Sequence, residues 1–219
     1  MNRNFYYKLT HLFIFAISFA FIEASVVIYL RAIYYPQGFR FPLIRHYDIM
    51  LLIELIREFS TLIIIITAAA LVSRKFWEGF GYFLIIFGVW DIFFYIWLKA
   101  VIRWPESPFT FDVLFLIPVP WIAPVLAPVL VSLVMVLIGF DIVRLYEKGY
   151  FIKPLFLHWF MVLAGTAIIF FSFMSDTGAG FYGQMPEPYN WFLFATGMIL
   201  YITAYMLLRY RSVRFRKFS

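Results

Sequence analysis

The sequence predicts an all-α polytopic integral membrane protein, a single transmembrane helical domain over residues 1–219, on three observations: extreme apolarity, six long hydrophobic runs, and a one-sided distribution of basic residues between them. Hydrophobic residues make up 64% and charged residues 14% of the chain, against roughly half and a quarter in soluble domains, and the mean hydropathy is +0.89. A length of 219 residues accommodates six spans of about 20 residues each with short connections and no separate soluble domain. There is no cysteine, which excludes disulfides, thiolate metal sites and iron–sulfur clusters. The formal charge of +6 does not indicate nucleic acid, because the basic residues lie between apolar runs and form no stripe with interleaved aromatics.

The first run, from about Leu12 to Tyr34, carries Glu23 and has no small-residue cleavage pattern, so it reads as a span and not as a removable signal peptide. The second runs from about Tyr47 to Val72, the third from Phe76 to Ile102, the fifth from Pro154 to Met174 and the sixth from Trp191 to Leu208. The fourth is anomalous: the apolar stretch from Val113 to Ile142 has 30 residues, about ten more than one crossing needs. It contains Pro118, Pro120, Pro124 and Pro128, each of which would remove a helical hydrogen bond. A proline-broken or re-entrant piece, Asp112 to Trp121, is therefore expected before a fourth span that begins near Ile122. Broken backbone at membrane depth is tolerated where it is buried in protein or lines a wet cavity.

An inside amino terminus leaves twelve Lys and Arg on the cytoplasmic side, among them Lys8, Arg74, Arg144 and the basic tail with Arg216 and Lys217. Five, among them Arg31, Arg45 and Lys99, fall on the other side. By the positive-inside rule both termini are cytoplasmic, in a cell or inner membrane. The loop Ser175 to Asn190 has no Lys or Arg, as expected of an outer loop with turns, and the basic tail suits anionic headgroups.

Charges inside the spans are the candidate site. Glu54, Arg57 and Glu58 stand at i, i+3 and i+4 and project from one helix face. Asp91, Tyr95 and Lys99 share a face of the third span by the same spacing, and Gly88 one turn earlier admits a close helix neighbour. Glu23 follows Ala16 and Ala20, which puts it at a helix interface. The topology brings these carboxylates to similar depth in the outer half of the bilayer, close to Asp112 and Trp121. Ionisable groups there persist when they pair or reach water. The expected ligand-binding set is thus Glu23, Glu54, Arg57, Glu58, Asp91, Tyr95, Lys99, Asp112 and Trp121, with no metal, since no His accompanies the Glu54/Glu58 pair.

These features point first to a non-enzymatic transport-type component that binds a proton, cation or small polar ligand, working as a homo-oligomer or with other membrane subunits. A membrane anchor or accessory subunit of a respiratory or other redox complex, in contact with quinone, is the alternative. An intramembrane lipid-modifying enzyme with Glu58, Asp91 or Asp112 as acid or base is the third. No cofactor is expected; the one arrangement that suits haem b is His11 with His158 across facing helices, His46 being in a loop.

Overall fold

A computed structural model describes residues 3–43, 49–150 and 152–214 of the chain. The expected span start at Tyr47, the loop residues Arg45 and His46, and the tail residues Arg216 and Lys217 lie outside them. The protein is 75% helical. Its long helices are α1 (Arg3–Tyr34), α2 (Ile49–Val72), α3 (Phe76–Ile102), α4 (Leu126–Glu147), α5 (Phe156–Met174) and α7 (Trp191–Arg214), with a short α6 (Thr177–Tyr182) before the last. Five of them, α1, α3, α4, α5 with α6, and α7, are long and apolar enough to cross a membrane. The second is not among the five; three ionisable residues, Glu54, Arg57 and Glu58, occupy the first ten positions of α2.

Helix α3 is the centre of the bundle, with α1, α2 and α4 packed around it, while α5 packs on α7. Glycine decides how closely α3 and α4 meet. A Cβ at Gly88 would stand 2.5 Å from the Ser132 carbonyl oxygen, and one at Gly139 would stand 2.6 Å from the Gly81 carbonyl oxygen. Only a hydrogen side chain permits that approach. On α1 the stripe Ala16, Ala20 and Ala24 is fully buried, so Glu23 lies at an interface as its neighbours predict. Lys8 near the start of α1 pairs with Glu78 near the start of α3, and Arg209 near the end of α7 pairs with Asp141 near the end of α4. The close approach of Gly81 to Gly139 joins those two pairs, so the free ends of α1 and α7 lie at the same end of the bundle.

The proline-rich segment departs from a broken helix. It forms a small antiparallel hairpin of β1 (Phe111–Val113) and β2 (Ile122–Pro124), with Asp112 opposite Ala123. Prolines in the tip and on an edge remove no helical bond. The backbone is satisfied instead by Leu114 N–H on the Trp121 carbonyl, Trp121 N–H on that of Phe115 and Val125 N–H on that of Thr110, at 2.8, 2.8 and 3.0 Å. The fourth long helix consequently starts at Leu126, four residues later than expected, and Pro128 falls in its first turn, where the missing donor has no partner to lose. Two further boundaries shift. The loop from Ser175 contains the short α6 as well as turns, and the apolar stretch ending at Ile142 includes Asp141, which the structure engages in an ion pair.

Candidate functional site

Around the hairpin the structure gathers ionisable side chains from α1, α2, α3 and β1. Arg57 is the hub of the first group. Its guanidinium donates to both Glu54 carboxylate oxygens at 2.5 and 2.8 Å, the i, i+3 contact that the helix spacing dictates. Across the gap between helices it forms an ion pair with Glu23 of α1. Because α1 and α2 each pack on α3, this pair spans the cleft between them.

Glu58, one residue further along α2, is buried and receives the backbone N–H of Leu116 on both oxygens, at 3.1 and 2.9 Å. The hairpin tip is thereby tied to α2 by a carboxylate. On α3, Asp91 is buried and accepts the Ser132 hydroxyl of α4 at 2.8 Å, at the level where Gly88 lets α4 approach. Neither Glu58 nor Asp91 has a Lys or Arg among its ion-pair partners within the described residues.

Asp112 is the second hub. It accepts from Arg31 of α1 at 2.8 Å and from its neighbour's backbone, Val113 N–H, at 2.9 Å, and the Tyr95 hydroxyl is a further donor to it. The Arg31 guanidinium lies against the rings of Phe39 and Trp104, 4.1 and 3.8 Å from their centroids, in the corner where those two rings meet edge-on, a cation–π contact with each. Arg31 is the participant that sequence reasoning missed. The sequence sets Arg31 two turns beyond Glu23 on the same helix, among the charges flanking the span, and gives no local sign of its partner Asp112, 81 positions away.

Two of the expected residues stand elsewhere. Lys99 is exposed and turns to the end of α3, where its ammonium donates to the carbonyls of Arg103 and Pro105 at 3.3 and 2.7 Å. A cation satisfying terminal carbonyls is favoured by the helix dipole, and this draws it away from Asp91 and Tyr95. Trp121 lies on the other side of the hairpin, packed against Phe115, Phe170 and Phe173. Its role there is to seat the hairpin on α5. Glu23, Glu54, Arg57, Glu58, Asp91, Tyr95 and Asp112 are brought together.

Two cavities reach this cluster. An open one of about 260 Å³ lies between α1, α2, the hairpin and α6, and presents Arg31, Glu54, Glu58 and Asp112 in walls that are mostly apolar. A smaller one of about 30 Å³ is lined by Glu23, Arg57, Glu58, Asp91 and Tyr95, room for about one or two water molecules. Glu58 lines both. The arrangement can accept, hold and pass a proton between carboxylates, or offer hydrogen bonds to a small polar molecule.

No three or more His, Cys, Asp or Glu side chains are grouped to hold a metal ion among the described residues. His158 is buried and accepts the Leu155 N–H through Nδ1 at 2.9 Å, beside an apolar cavity of about 70 Å³. His11 is exposed, with Nδ1 against the Tyr7 carbonyl. The two are carried by α1, which packs on α3, and α5, which packs on α7.

Fold and cluster together define the class: a multi-pass helical membrane protein with charged residues buried among apolar helices. Compared with family models, curated proteins and solved structures, the chain matches none.

Proposed function

We propose that this protein is a proton-handling component of a membrane transport system, in which Glu58 and Asp91 carry exchangeable protons. The observation that supports it is an imbalance of charge among the described residues: five buried or half-buried carboxylates, Glu23, Glu54, Glu58, Asp91 and Asp112, share two guanidiniums, those of Arg31 and Arg57. Arg57 answers Glu23 and Glu54, and Arg31 answers Asp112. Among the described residues the hydrogen-bond donors to Glu58 and Asp91 are neutral, a backbone N–H and a hydroxyl; Arg57 is close enough to Glu58 to interact with it electrostatically but is ion-paired with Glu23 and Glu54. An unpaired ionised carboxylate in an apolar interior costs several kcal/mol or more, so a bound proton is the cheaper state for each. The larger cavity gives protons access to Glu58, and the smaller one relays them toward Asp91.

In this reading α2 is the sixth span, with its charged half inside the bundle, and both termini face the cytoplasm as the twelve-to-five distribution of basic residues favours. Six short spans are few for a self-contained carrier, so the protein works as a homo-oligomer or with other membrane subunits.

The test is infrared difference spectroscopy of the purified chain across a pH step, together with proton flux in proteoliposomes under an imposed pH gradient. Protonated-carboxyl bands should be present and should be lost one at a time in Glu58→Gln and Asp91→Asn, and the flux should fall to the level of empty liposomes. Unchanged bands and flux in both variants would sink the proposal, as would a fully ionised cluster.

A further inference from the structure

At the end of the bundle away from the hairpin, a cavity of about 70 Å³ lies where α3, α4, α5 and α7 meet. Its walls are apolar and largely aromatic, with Trp77 and Phe80 of α3, Ile142 of α4, Trp159 of α5 and Tyr205 of α7. Phe76 and Trp159, which also line it, are 69% and 44% exposed, so the cavity opens on the outer surface of the bundle, where acyl chains pack. One imidazole stands in this apolar wall. His158 is 5% exposed, and its Nδ1 accepts the Leu155 N–H at 2.9 Å. That role puts the proton of a neutral ring on Nε2. Nε2 has no hydrogen-bond partner among the described residues, and packing does not seal it off. The bond at Nδ1 holds the ring in place, so Nε2 cannot turn toward an acceptor within the chain. A buried donor of this kind is answered by an acceptor that comes from outside.

We propose that this cavity seats the head of one acyl chain of an anionic phospholipid, with the ester carbonyl accepting from His158 Nε2 and the phosphate among the cations at the rim. Size favours a chain. About 70 Å³ is under half of the roughly 150 Å³ that holds a benzene ring, so a narrow chain enters where the flat ring of a quinone does not. A lone water is poorly held by walls this apolar. Charge selects the headgroup. Lys75 directly precedes the lining residue Phe76, Lys153 directly precedes the lining residue Pro154, and both lysines are exposed. Basic residues at a membrane surface attract anionic headgroups. A lipid seated here bridges α3 and α4 to α5 and α7, beside the contacts of Asp141 with Tyr205 and Arg209. The site stands apart from the carboxylate cluster and does not depend on the transport reading.

The full chain, stripped of lipid in detergent, is titrated with three probes and read by native mass spectrometry. These are ester-linked phosphatidylglycerol, its ether-linked analogue, which lacks the carbonyls, and ester-linked phosphatidylcholine, which lacks the net charge. Ester phosphatidylglycerol should bind about fivefold tighter than the ether analogue, the worth of one neutral hydrogen bond, and about tenfold tighter than phosphatidylcholine. His158→Phe should erase the ester preference. So should Val162→Trp, which fills the cavity and leaves the His158 cap of α5 in place, and it carries the same test if the loss of that cap unfolds His158→Phe. Lys75→Gln combined with Lys153→Gln should erase the preference over phosphatidylcholine and keep the ester preference. Equal binding of the ester and ether lipids by the unaltered chain would overturn the inference. An ester preference that survives Val162→Trp, or phosphatidylcholine binding as tightly as phosphatidylglycerol, would overturn it too.

Discussion

The two ends of the bundle use buried carboxylates in opposite ways. At the end that carries the chain's free helix termini, the buried Glu78 and the half-buried Asp141 each have their own cation. Glu78, 1% exposed, pairs with Lys8 at 3.4 Å and also accepts the Arg74 N–H at 2.7 Å. Asp141 receives Arg209 and the Tyr205 hydroxyl, both at 2.6 Å. The cavity beside them is small and apolar. At the hairpin end, among the described residues, buried and half-buried carboxylates outnumber the buried and half-buried guanidiniums, and cavities reach them. Matched pairs fasten helix to helix, α1 to α3 and α4 to α7. Unmatched ones have no such use, since a neutral side chain would pack as well at less electrostatic cost. On the proposed reading, the contrast separates fastening from function by counting charges at each end.

That contrast yields a graded set of outcomes for reversible unfolding in mixed micelles. The largest belongs to Arg57→Met. Removing the hub leaves Glu23 and Glu54 without their counter-charge, and breaking a buried ion pair from one side costs about 3–5 kcal/mol. A loss under 1 kcal/mol would show that those carboxylates are already neutral. Next comes Gly88→Val, where a side chain meets the Ser132 carbonyl; overpacking of this kind costs about 1–3 kcal/mol, and it should also disturb the Ser132–Asp91 contact seen by infrared. Arg209→Gln follows. Its side chain is 49% exposed, and exposed ion pairs contribute about 0–1 kcal/mol, so the unfolding midpoint should barely move.

Smallest of all should be Glu58→Gln and Asp91→Asn. A group that is already protonated loses little when replaced by its amide, and the stability change should stay within about 0.5 kcal/mol although proton flux is lost. A larger destabilisation than that of Arg209→Gln would place these two carboxylates with the fasteners and erase the difference between the ends.

Much of the site can be read in one dimension because helical spacing is a local property. Glu54 and Arg57 meet as the i, i+3 interval requires, and Ala16 and Ala20 mark the buried face on which Glu23 sits. Lys99 shows where spacing stops being informative. It shares a face with Asp91 and Tyr95, yet its long side chain reaches the carbonyls at the helix end. The proline run shows a second limit. Prolines forbid a helix, but they do not say what replaces it, and the hairpin register depends on which backbone donors find acceptors across the turn.

The sequence by itself determined the helical membrane class, the long apolar helices and most members of the cluster, because apolarity and helical periodicity act within a single element. Tertiary structure alone decided the partners: Arg31 with Asp112, Arg57 with Glu23, Leu116 with Glu58, and Ser132 with Asp91. Those pairings join residues from 34 to 81 positions apart, and nothing local specifies them. They follow from how closely small residues let helices approach and from where the hairpin folds back, and they turn a set of buried charges into a site with two carboxylates unmatched.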